Sequence, residues 1–74
     1  MREWLKKLRI SKGLSQQNVS DSINVTQQYY GYIENGDRQK DLDMSMLLKL
    51  SKLFDVSVDY IIAEEEKLKS DTNI

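Results

Sequence analysis

The sequence predicts an all-α domain of five short helices, and three observations carry the prediction. One start signal recurs four times: an apolar residue, a capping residue, then an apolar residue four positions after the cap. The four are Leu14-Ser15 with Val19, Val25-Thr26 with Tyr30, Leu42-Asp43 with Leu47, and Val56-Ser57 with Ile61. In each, the cap oxygen accepts a backbone N–H, and the flanking apolar pair fixes the angle at which the chain enters the helix. Proline is absent and glycine occurs three times, which leaves little room for long loops. The 74 residues suffice for one small core of modest stability.

The elements follow in order. The first helix is expected over about Arg2–Lys12, with Trp4, Leu5 and Leu8 toward the core. Gly13 stops it in left-handed backbone, where Leu14 can fold back on Leu8. The second, about Ser15–Ile23, buries Val19 and Ile23 and stops at Asn24. The third, about Thr26–Asn35, buries Tyr30 and Ile33 and stops at Gly36. The fourth, about Asp43–Phe54, has Met44 at its start and buries Leu47, Leu50 and Phe54. Asp55 stops it, because short polar residues tolerate left-handed backbone better than most. The fifth starts at Ser57, buries Ile61 with Ile62 beside it, and runs into "AEEEKLK" before fraying at "SDTNI". Residues 1–63 are read as the domain and 64–74 as an acidic, polar extension. Only Asn24 and Val25 separate the second and third helices, so the two must cross sharply, as in a helix-turn-helix.

Composition excludes several classes of function. Without cysteine or histidine there is no disulfide, no thiolate or imidazole metal site and no Cys or His catalysis. No phosphate-cradling glycine loop occurs, and Glu64–Glu66 reads as a solvated helix face; neither enzyme activity nor a metal or other cofactor is expected. No apolar run reaches the roughly 18–20 residues of a membrane span, and no signal-peptide pattern opens the chain. The expected location is the cytoplasm, with no membrane partner and no room for a small-molecule effector domain. The net charge is −1, but residues 1–40 carry +3 and residues 41–74 carry −4. A basic half suits a polyanion; a mixed solvated surface is the plainer alternative.

The stretch "LRISKGLSQQNVSDSINVTQQYYGYIENGDR" followed by "LLKLSKLFDVSVDYII" resembles the phage repressor/Cro-like (XRE-type) helix-turn-helix family. The most specific pieces are Gly13-Leu14-Ser15-Gln16, Ile33-Glu34-Asn35-Gly36 and "LLKLSKLFDVSVD". The resemblance covers about Leu5 to Ile62. It implies a compact five-helix lambda-repressor-like domain whose third helix enters the major groove of operator DNA, usually as a symmetric homodimer. A repressor is the expected role, with activation as the alternative, since that depends on where the operator lies and not on the fold. Asn24 and Asp55 depart from common turn glycines, and Val19-Ser20 stands where leucine and alanine are usual. Gly31 lies within the recognition helix, where it weakens the helix by roughly 0.5–1 kcal/mol relative to alanine. The missing side chain leaves room for bases or backbone to approach closely.

On a helix capped by Thr26, Tyr30 and Ile33 share the core face, while Gln27, Gln28, Gly31 and Tyr32 fall largely on the other side. That side is uncharged and rich in hydrogen-bonding groups, which suits base reading: glutamine can donate to N7 and accept from N6 of adenine together. The resemblance places Gln27, Gln28 and Tyr32 at base-contacting positions; Tyr29, at the edge, suits a base or a phosphate. Gln16 occupies the first turn of the second helix, where free N–H groups and the dipole favour phosphate, and the resemblance agrees. Asn35, Arg38 and Lys40 match the stretch that holds the DNA backbone, with a solvated loop as the alternative for the two cations. The resemblance also implies a structural ion pair between Arg9 and Glu34, with a phosphate as a second destination for Arg9.

A different class of function stays open on the same fold: a protein-interaction module, such as an antitoxin-like or antirepressor subunit, with little DNA binding. Candidates for a dimer interface are Val56, Val58 and Ile62, or Ala63 and Leu68 on an extended fifth helix. Completion of the monomer core is the alternative for Val56 above all.

Overall fold

A computed structural model of the chain describes residues 1–36 and 42–72. It contains α1 (Glu3–Ser11), α2 (Gln16–Ser22), α3 (Gln27–Asn35), α4 (Met44–Phe54) and α5 (Val58–Thr72). No strand occurs among the described residues.

The four start signals are all built. Ser15 Oγ accepts from Asn18 N–H, and Asn18 Oδ1 accepts from Ser15 N–H, a complete capping box. Thr26 caps α3 through Tyr29 N–H, Asp43 caps α4 through Met46 N–H, and Ser57 caps α5 through Tyr60 N–H. The apolar residue four positions past each cap is buried: Val19, Tyr30, Leu47 and Ile61. The apolar residue before each cap (Leu14, Val25, Leu42 and Val56) packs against the core from its edge.

The stops are equally regular. Gly13, Asn24, Gly36 and Asp55 all adopt left-handed backbone, with φ of 69°, 61°, 73° and 56°. After α1, Leu14 N–H reaches Arg9 O and Gly13 N–H reaches Ile10 O; after α2, Val25 N–H reaches Ser20 O and Asn24 N–H reaches Asp21 O. These are the paired bonds of the Schellman motif, which satisfy carbonyls a helix end leaves open. Lys49 Nζ adds a cation at the end of α2, donating to Ile23 O at 3.3 Å.

One core joins the helices: Trp4 and Leu5 from α1, Val19 and Ile23 from α2, Tyr30 and Ile33 from α3, Met46, Leu47, Leu50 and Phe54 from α4, and Ile61 from α5. Leu8, expected toward the core, is half-buried and packs against it from the edge. Met44 opens α4 as expected and is 63 % exposed, on the outer face with Leu48, one turn along; Met46, which the spacing argument left out of the core, is buried. Ile62 is exposed, whereas Val56, Val58 and Leu68 are half-buried and pack against the core from its edge.

α5 continues without a break past residue 63. Glu65, expected to be solvated, instead bonds Arg2 and Trp4. Of its two neighbours, Glu64 pairs with Lys67 at 3.0 Å and Glu66 is exposed.

Candidate nucleic-acid interface

α2 and α3 are joined through Ile23, Asn24, Val25 and Thr26, and the left-handed Asn24 turns the chain sharply between them. α3 therefore lies across α2 with Tyr30, Ile33 and Glu34 turned inward. Its N-terminal end stands out from the body. Gln27, Gln28 and Tyr29 are exposed, Tyr29 at 38 %, while Gly31 and Tyr32 are half-buried. Gln28 Nε2 donates to the Tyr32 hydroxyl at 2.9 Å, one turn along the helix, and so orients two of the four side chains assigned to bases. Asn35 is exposed at the other end of α3. Arg38 and Lys40 lie outside the described residues.

Gln16 is the first residue of α2 and is half-buried. Its Oε1 lies 3.9 Å from where a Cβ on Gly31 would stand. Its amide also lies close enough to Glu34 to help hold that carboxylate in its charged form. Gln16 thus bridges the start of α2 and the middle of α3.

Beneath this surface Arg9 and Glu34 form a two-pronged ion pair, Nε to Oε2 at 2.9 Å and Nη2 to Oε1 at 3.1 Å. A third donor, Arg9 Nη1, reaches Leu14 O at 3.0 Å. The Glu34 side chain is 2 % exposed. Burial pushes its pKa up, but the hydrogen bond from Arg9, the neighbouring Tyr30 and the Arg9 charge outweigh that and hold it below the usual carboxylate value. The Glu34 hydrogen bond likewise raises Arg9 against the opposing effect of burial. Tyr30 packs against the pair with its hydroxyl buried and no hydrogen bond of good geometry. Burial, then the Glu34 charge, push its pKa well above that of a free tyrosine.

The basic half of the sequence contracts in three dimensions. Arg9 is committed to Glu34, and Arg2 is buried against Glu65. Among the described residues of that half, Lys7 and Lys12 are exposed and Lys6 is half-exposed. The sequence reading missed the roles of Arg2, Trp4 and Glu65. One signal was present, since a core tryptophan needs an acceptor for its N–H. Nothing in the sequence pointed to a carboxylate 61 positions away.

A helix pair joined by this turn, with a polar, uncharged second helix presented outward, is the helix-turn-helix arrangement. The helix-turn-helix family model (HTH_3) matches residues 5–61, most of the chain. The chain belongs to the helix-turn-helix family. Several curated relatives from Bacillus subtilis (strain 168) are similar to this helix-turn-helix chain. The SPbeta prophage-derived HTH-type transcriptional regulator YonR is 45 % identical over 60 residues, covering 81 % of this chain and 54 % of that protein. The HTH-type transcriptional regulator YqaE is 39 % identical over 67 residues, covering 90 % and 56 %. The HTH-type transcriptional regulator ImmR is 34 % identical over 65 residues, covering 88 % and 50 %. The chain spans about half the length of these relatives.

Proposed function

We infer that the chain is a sequence-specific double-stranded DNA-binding transcriptional regulator, a repressor acting as a homodimer in the cytoplasm. The observation that carries this reading is the exposed, uncharged N-terminal face of α3, where Gln28 is already oriented by Tyr32. The relatives' description as HTH-type transcriptional regulators supports it. No helix among the described residues is long and apolar enough to cross a membrane.

In this reading Gln27, Gln28, Tyr29 and Tyr32 meet base edges in the major groove, and one glutamine reads an adenine through its paired N7 and N6. Gln16, Asn35, Arg38 and Lys40 hold phosphates and set the register without reading sequence. Two copies place their recognition helices about 34 Å apart on a near-palindromic site. Of the candidate interface residues, Ile62 and Ala63 on α5 are exposed and so accessible to the second copy.

The test is selection of bound duplexes from a random pool over a range of salt. An enriched inverted repeat, with binding that weakens steeply as salt rises, is the expected outcome. Salt-sensitive binding without a motif would leave only general DNA affinity. No binding even at low salt would overturn the reading and favour the protein-interaction alternative.

A further inference from the structure

Arg2 precedes α1 in sequence but is buried at the junction of three helices. Its side chain is 3 % exposed. Its backbone C=O accepts from Leu5 and Lys6 N–H, closing the start of α1. Its backbone N–H donates to Glu34 O at 2.8 Å, and its Nη1 donates to Ile33 O at 2.6 Å. Both carbonyls belong to the last turn of α3, where a helix leaves C=O groups open and its dipole is negative. The guanidinium answers both needs.

A buried cation requires a countercharge. Glu65 of α5 supplies it, accepting from Arg2 Nε at 3.0 and 3.1 Å and from Nη2 at 3.0 Å. Trp4 Nε1 donates to the same carboxylate at 2.9 Å and fixes its orientation. The contacts therefore run from the end of α3, through Arg2, to α5, without touching the base-reading face.

We propose that Arg2 and Glu65 are positioning residues for the recognition helix. The clamp fixes the C-terminal end of α3 against α1 and α5, and so sets the pose in which Gln27, Gln28 and Asn35 meet DNA. This rests on α3 being the DNA-facing helix. A purely structural pair would change how much protein is folded; a positioning pair also changes how well the folded protein binds.

Glu65→Gln is the variant of choice, because it keeps the shape and an acceptor oxygen while removing the countercharge. Arg2→Lys is the second variant, retaining the charge but not the fork. Each full-length variant is compared with the wild type well below its unfolding temperature. Two readouts are taken: affinity for the selected duplex, and amide hydrogen exchange at Gly36, whose N–H bonds Tyr32 O, relative to Leu50 in α4. The expected result is binding weaker by roughly 2- to 30-fold, with exchange at Gly36 accelerated more than at Leu50. A lower unfolding temperature with unchanged affinity and an unchanged Gly36-to-Leu50 ratio would overturn the proposal. Should the wild type bind no duplex, the DNA reading itself fails. The exchange ratio then decides the clamp alone, and an unchanged ratio overturns it too.

Discussion

Replacing Gly31 by alanine separates stability from binding. Gly31 is the fifth residue of α3 and has ordinary helical backbone; the left-handed glycines are Gly13 and Gly36. A Cβ added there would meet only Gln16 Oε1, at 3.9 Å, an ordinary van der Waals distance. Nothing in the free protein therefore opposes the substitution. The gain in helix propensity is about 0.5–1 kcal/mol. At roughly 4–8 °C per kcal/mol for a domain of this size, the midpoint should rise by about 2–8 °C. Thermal unfolding followed by far-ultraviolet circular dichroism measures this directly. If glycine is present so that α3 can lie close against DNA, the same methyl should weaken binding. An extra methyl forced into a close-packed contact costs about 1–3 kcal/mol, or about 5- to 150-fold in affinity. A variant that is more stable and binds as well as the wild type would refute the close-approach argument. A variant that is less stable would refute the reasoning about the free helix.

Three further outcomes are expected. Gln28→Ala and Tyr32→Phe should each relax preference at the same base pair, by about 1–3 kcal/mol for the glutamine; their effects should not add, because one hydrogen bond joins the two residues, and additive shifts at different base pairs would separate them. Glu34→Gln should flatten the acid side of the stability profile. With the folded pKa of Glu34 held below the ordinary 4.5, its contribution is complete above that value and is lost as pH falls through the lower folded one; urea unfolding between about pH 2 and 6 checks this, and an unchanged slope would remove Glu34 as the source. Asp55→Gly, at φ of 56°, should stabilise the domain by up to about 1 kcal/mol by relieving left-handed strain, read as a higher thermal midpoint.

Gln28 and Tyr32 show how much of the proposed site's geometry was legible from sequence. Helical spacing was enough to separate them from Tyr30 and Ile33, since a core face and an outer face differ by position alone. Spacing did not show that the two would bond to each other, which depends on rotamers. For Gln16, the sequence marked a phosphate-favouring helix start, and the fold also turns its side chain over Gly31 toward Glu34. The charge count misled for a related reason. Arg2 and Arg9 counted as part of a basic surface until folding placed each beside a carboxylate.

The sequence by itself determined where α2 to α5 begin and where α1 to α4 end. Caps, staples and left-handed stops are local devices that act over five or six residues, so their signals lie side by side in the chain. It also determined most of the core, because burial follows helical period. Tertiary structure decided what the period cannot express. It buried Met46, left Ile62 outside, and brought Arg2 and Trp4 to Glu65 across more than sixty residues of chain. Those choices depend on which faces of different helices meet. A buried charge accepts whichever partner the packing delivers, and no local pattern specifies it.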